Sequence, residues 1–285
     1  MAGFFGLFNY NKDGPGVEKD APPKPRILLY FELIARKFWK IARVNIMFVL
    51  FNLPAIAISC LILFFMFMNN IVDTEGNLNI STRMLYIGVP LMTFFTSIPV
   101  ITVGPAQAGF TFIMRNFARE EHVFIWSDFI EVAKKNFKQS TIVSLIDMAV
   151  MFLIAFNMNF YRALNSHGVF YQIGNVVIIV ALILYLMMHL YIYPMMITFK
   201  FTIKQLYKNA ILFALLKFFP NLGVLAVSAF IIFITMMISP YASVLFFLFL
   251  DFGLIGFTTN FVVYPYLKKY IIDKYEEEQK QIEQN

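Results

Sequence analysis

Long apolar runs alternate with short polar connections along this chain. A helix needs about 20 predominantly apolar residues to cross a hydrocarbon layer roughly 30 Å thick. Six runs reach that length or approach it, at about 44–68, 84–103, 141–161, 170–197, 222–238 and 242–267. The pattern predicts an all-α, polytopic membrane protein with six transmembrane helices. Ahead of the first run, Arg26 to Arg43 reads as an amphipathic helix. Leu29, Leu33, Phe38 and Ile41, with Phe31, Ile34 and Trp39, give it a broad apolar face, and Arg36, Lys37, Lys40 and Arg43 crowd its far end. A basic amphipathic helix beside a span lies in the interface, with Trp at headgroup depth, and binds anionic lipid. A dedicated protein partner is the alternative for the same surface.

Three segments follow from this pattern. Residues 1–25 are a turn-rich, flexible cytoplasmic tail, with an aromatic start, Gly14-Pro15-Gly16 and Pro22-Pro23. They lack the apolar core and small-residue cleavage site of a signal peptide. Residues 26–267 form the membrane domain, and 268–285 form a charged, helix-prone cytoplasmic tail. Composition agrees: 60% of residues are hydrophobic and 14% charged, against roughly 25% charged in soluble domains. The solvent to reason about is lipid.

Charge sets the orientation. Of the 23 lysines and arginines, all except Arg83 and Arg162 fall in the N-terminal arm, the connections after spans two and four, and the C-terminal tail. Lysine and arginine are retained on the cytoplasmic side of a bilayer, so both termini are expected in the cytoplasm. Interfacial amphipathic helices should fill the cytoplasmic connections.

One stretch interrupts the pattern. Ser97 to Gly109 carries Pro99, Gly104 and Pro105 between an apolar run and the charged segment from Arg115 to Lys138. A proline inside a helix removes one backbone hydrogen bond and presses on the preceding turn. The segment is therefore expected to kink or re-start at the cytoplasmic interface, or simply to end a helix there. The two cytoplasmic connections also resemble each other. Ile98-Pro-Val-Ile-Thr102 leads through a basic helix to Lys135-Asn-Phe-Lys-Gln-Ser140. Tyr193-Pro-Met-Met-Ile-Thr198 leads through Lys204-Gln-Leu-Tyr-Lys208 to Lys217-Phe-Phe-Pro-Asn221. Hairpins 2–3 and 4–5 read as a parallel repeat, which occurs in transporters and equally in inert scaffolds.

Chemistry has few carriers. An ionisable group in hydrocarbon costs roughly 2.5 to 3.5 kcal/mol on insertion scales, and Asp147, His189 and Asp251 qualify. Together they form either a cation or proton relay or a buried polar cluster that holds helices together. Asn45, Asn52, Asn157, Asn159 and Asn260 read mostly as interhelical glue. Asp128 and Glu131 fit a helix N-cap with a carboxylate three residues on. Cys60 is the single cysteine, so no disulfide forms within the chain. The sequence offers no catalytic constellation, metal motif, cofactor motif or nucleic-acid motif, and an enzyme is not expected.

The run Ile98-Pro-Val-Ile-Thr-Val-Gly-Pro-Ala106, then Arg115, Arg119-Glu120, Asp128-Phe129 and Lys135-Asn-Phe-Lys-Gln139, resembles the YesL-like family of bacterial membrane proteins. Arg43-Val-Asn45 and Leu53-Pro54 match its opening. The resemblance is strongest over about residues 30–140. It implies a multi-pass protein of the bacterial cell membrane with an auxiliary role beside a carbohydrate ABC importer, and no established activity. The partners it implies are permease subunits. The contact or structural residues would be Pro99, Gly104, Pro105, Arg115, Arg119, Asp128, Asn136 and Lys138. A small secondary transporter using Asp147 and Asp251 is the rival expectation.

Overall fold

The computed structural model describes residues 24–68, 98–164, 168–239 and 244–284. Among these, all regular structure is helical, as the apolar pattern predicts. The helices are α1 (Arg26–Met68), α2 (Ile98–Ala118), α3 (Ile125–Lys135), α4 (Phe137–Ala163), α5 (Val169–Thr198), α6 (Ile203–Leu216), α7 (Phe218–Ile238), α8 (Phe252–Leu267) and α9 (Asp273–Gln284). A π-helical turn, Phe247–Asp251, opens into α8, and a second, Lys268–Ile272, joins α8 to α9.

Among the described residues, four helical stretches are long and apolar enough to cross a membrane: Phe137–Tyr161, Val169–Thr198, Phe218–Ile238 and Val244–Gln281. They mark a membrane protein. They coincide with the third to sixth expected runs, and the first expected run lies within α1. Residues 84–97 of the second run lie outside the described residues, as do the aromatic N-terminal tail and the polar loop 69–83.

The chain divides into two units, Met1–Arg36 and Lys37–Asn285. In the first, the start of α1 carries an exposed ion pair between Lys24 Nζ and Glu32 Oε2 at 2.6 Å. Lys24 holds the Glu32 carboxyl below its ordinary range.

Within the second unit, α2 is the packing centre, touching α3, α4, α5 and α8. It corrects one expectation. Helix α2 does not end at the Gly104-Pro105 step; it continues through Pro105 to Ala118. Proline removes only its own donor. Stopping there would leave further carbonyls unsatisfied in an apolar surrounding. Gly104 adds a packing reason: a Cβ at this position would overlap Ser144 Oγ and the Ser140 carbonyl of α4. The pair Ser140 and Ser144, four residues apart, faces it, so three small residues let two backbones approach. Five residues on, a Cβ at Gly109 would overlap the Phe129 carbonyl of α3. Fully buried Phe129 seats α3 on that surface. Phe110 of α2 packs on Phe48 of α1 with ring centroids 4.6 Å apart and the ring planes tilted by 39°.

A further close approach joins α1 to α8. A Cβ at Gly253 would come within 2.7 Å of Ile41 Cγ2 and 3.1 Å of the Ile41 carbonyl. A π turn leaves backbone groups without their usual i−4 partners. Asn45 fills that gap: its Nδ2 donates to the Phe247 and Leu248 carbonyls at 3.2 and 2.7 Å, and its Oδ1 accepts from Gly253 N at 2.8 Å. Asn45→Leu is expected to destabilise the protein by about 1–3 kcal/mol, because it strands these buried groups. Thermal unfolding of the purified variant in detergent measures this, and an unchanged melting temperature would contradict it.

Candidate functional site

Tyr185, His189 and Tyr193 recur every four residues on α5 and so share one face. Opposite them α4 presents Ser144 and Asp147. The Asp147 side chain is only 2% exposed. Its Oδ1 accepts from Tyr185 Oη at 2.5 Å and from Tyr207 Oη of α6 at 3.2 Å, and it lies 2.8 Å from His189 Nε2. One turn away, Ser144 Oγ and Tyr193 Oη are 3.3 Å apart. Three groups converge on one carboxylate oxygen, whereas the buried Oδ2 has no hydrogen-bond partner. Burial and the Asp147 carboxylate push the Tyr207 phenol up, so it stays a donor. Asp147 therefore ties three helices together and sets one carboxylate oxygen against the His189 imidazole.

The expected grouping of Asp147, His189 and Asp251 is corrected in part. The structure joins Asp147 to His189, but Asp251 belongs to a different contact. It closes the first π turn, is 6% exposed, and its Oδ2 accepts from Thr235 Oγ1 of α7 at 3.3 Å. Asp251 Oδ1 has no hydrogen-bond partner. The two aspartates fall apart because α5 and α6 supply every partner of Asp147, and α7 supplies that of Asp251.

A second cluster gathers where α2 ends. Arg115 is 7% exposed. It donates from Nη1 to Thr198 Oγ1 of α5 at 2.8 Å and from Nη2 to Asn116 Oδ1 at 3.2 Å. Burial, then the nearby Arg119, pull its pKa down to about 10, so it remains a cation at neutral pH. Glu120, at φ 60°, closes the helix. The Glu121 amide reaches the Asn116 carbonyl and the Glu120 amide reaches that of Phe117, a Schellman ending. Lys37 Nζ donates to the same Phe117 carbonyl at 2.8 Å, a cation where the helix dipole favours one. Arg119 pairs with Glu121 and lies over the Tyr264 ring at 4.5 Å.

The remaining sequence-derived candidates sit on α3, on α4 and at the Asn136 junction between them, except Pro99, which lies in the first turn of α2. Asp128 is not the N-cap of α3; that position is Phe124, because the helix begins one turn earlier than the Asp-Phe pair suggests. Asp128 instead reaches back from inside the first turn, its Oδ2 accepting from Phe124 N at 2.9 Å. Asn136 ends α3, with Nδ2 donating to the Val132 carbonyl at 2.9 Å. Lys138 is exposed in the first turn of α4. Of the five asparagines read as interhelical glue, Asn45 alone does that work. Asn52, Asn157, Asn159 and Asn260 each donate to the carbonyl four residues before them on their own helix.

A family model described as protein of unknown function, DUF624, matches residues 41–158. The likeness to the YesL-like group is thereby shown over this stretch. It covers α1 from Ile41 through most of α4, including Gly104, Arg115, Asp128, Asn136 and Asp147, and stops before Tyr185, His189 and Tyr207. Neither the curated proteins nor the solved structures yield a match.

Sequence reading missed the tyrosines of the Asp147 cluster. The four-residue spacing of Tyr185, His189 and Tyr193 signals the stripe on α5, but nothing local announces Tyr207. It also missed Asn221, which accepts from Tyr191 Oη at 2.7 Å and donates to the Phe213 and Ala214 carbonyls at the end of α6. Tyr207→Phe is expected to cost about 1 kcal/mol, the worth of one hydrogen bond, and Asp147→Ala about 3 kcal/mol, because several donors then lose their acceptor. Melting temperatures in detergent check the order; equal losses would contradict it.

Proposed function

We propose that this chain is a six-span protein of the bacterial cell membrane with both termini in the cytoplasm. In this reading it works without catalysis, as an accessory subunit that binds the permease of a carbohydrate ABC importer. The observation that carries the reading is the way α3 is held, against α2 on one side and joined end to end to α4 through Asn136. Phe129 locks α3 into the Gly109 surface of α2, and Asn136 passes it directly into α4. Held in that way, α3 turns Phe124 and Trp126 outward, 68% and 63% exposed, with Lys134 and Lys135 also exposed at its far end. A helix that carries aromatics and cations on a fixed base suits a docking surface. The DUF624 match includes all of α3 and most of α4.

The contact between Asp147 and His189 favours a second reading, a small proton-coupled transporter. In that form it no longer needs Asp251. The repeated order of long helix, short helix and long helix, in α2–α3–α4 and again in α5–α6–α7, is compatible with either reading.

Affinity purification from native membranes separates them. Permease subunits are expected to co-purify with the parent. The double variant Phe124→Ser, Trp126→Ser is expected to lower their yield at least five-fold, about 1 kcal/mol of contact, with its melting temperature unchanged. Recovery of the parent alone would overturn the accessory reading. Uptake by the parent in proteoliposomes that is lost in Asp147→Asn would favour the transporter.

A further inference from the structure

The close approach of α1 and α8 at Asn45 and Gly253 has an open groove beside it. Its volume is about 690 Å³, with Trp39, Arg43 and Ile46 on the α1 side and Phe246, Phe249 and Leu250 on the other. The walls are apolar except for Arg43. Arg43 is exposed, as is Lys40 three residues before it on the same helix. Neither forms an ion pair among the described residues. Trp39, at the same end, is 79% exposed.

We infer that this groove binds one anionic phospholipid, its acyl chains along Ile46, Phe249 and Leu250 and its phosphate on Arg43. Three features select this occupant. The guanidinium fork matches a phosphate in a bidentate manner, and Lys40 adds a second positive charge. An exposed indole beside the cations belongs at headgroup depth. The shape also argues against a partner helix: at about 10 Å across, a helix would fill this volume in roughly one and a half turns, whereas flexible chains adapt to a short cleft. A zwitterionic headgroup would bring its own cation against Arg43 and Lys40, so the site discriminates by charge. The inference rests on the membrane embedding proposed above and is independent of the permease.

Trp39 reports the site directly. The full chain carrying Trp126→Phe retains Trp39 as its single tryptophan and is reconstituted in phosphatidylcholine vesicles. Small fractions of brominated phosphatidylglycerol or brominated phosphatidylcholine are then added. Brominated phosphatidylglycerol is expected to quench Trp39 at about five-fold lower mole fraction, the weight of roughly one interfacial cation. Arg43→Gln is expected to abolish that preference, Arg43→Lys to retain part of it, and the groove-filling Ile46→Phe to reduce quenching by both lipids with Arg43 intact. Equal quenching by the two lipids would overturn the site while leaving the embedding in place. Trp39 quenched by neither lipid, whether because the embedding is wrong or because a second copy covers the groove, would also overturn it.

Discussion

Two glycines on one helix set the distances from which the rest of the packing follows. At Gly104 the α2 backbone meets α4, and at Gly109 it meets α3, both at separations a Cβ would forbid. Lipid chains are as apolar as leucine, so burial alone gives membrane helices little reason to associate. Close backbone contact and shared polar groups must do that work. The Gly-Pro-Ala-Gln-Ala-Gly run of α2 supplies the first of these. Its proline, which reads as a breaker, sits where the helix is held from outside by Ser140 and Ser144. With α2 against α4 and α3 at once, Arg115 reaches Thr198 on α5 and Arg119 reaches the ring of Tyr264 on α8.

The polar contacts around this centre fall into two kinds. Asn45 is fully satisfied: it bridges carbonyls released by the π turn and the amide of Gly253, and so serves as a fixed strut between α1 and α8. Asp147 and Asp251 are incompletely satisfied. Each is buried, each has one carboxylate oxygen with hydrogen-bond partners and one without, and a half-satisfied buried carboxylate is costly to keep. Groups that would be expensive as mere packing are where function is sought in a membrane protein. Asp147 is the stronger candidate, because its partners are titratable and come from helices on both sides of the α5–α6 connection.

The helical class, the position of the last four apolar stretches and the buried state of Asp147 and Asp251 were legible in the sequence. All three follow from composition and period, which act locally. The course of α2 was not legible. Proline and glycine have a strong local meaning, and only the serines of α4, some forty residues away, show that tertiary packing overrides it. Asn45 was recognisable as interhelical, but nothing distinguishes it in sequence from Asn52, which bonds to its own helix; the π turn that needs it lies two hundred residues on. The pairing of Asp147 with Tyr207 depends on α6 folding back beside α5, a long-range event with no local mark. Asp128 was misplaced by a single turn, since an aspartate can accept from helix amides either as the cap or from just inside the first turn.

Two alanine substitutions test the central role of the α2 glycines. Inside a helix, replacing glycine with alanine is ordinarily stabilising by up to about 1 kcal/mol. Gly223 of α7 has open space around its missing Cβ, so Gly223→Ala should raise the melting temperature in detergent. Gly104→Ala should lower it, by an amount equivalent to about 1–3 kcal/mol of overpacking. Removing the Ser144 hydroxyl as well should not restore it, because the Ser140 backbone carbonyl still blocks the site. A Gly104→Ala protein as stable as Gly223→Ala would contradict the account.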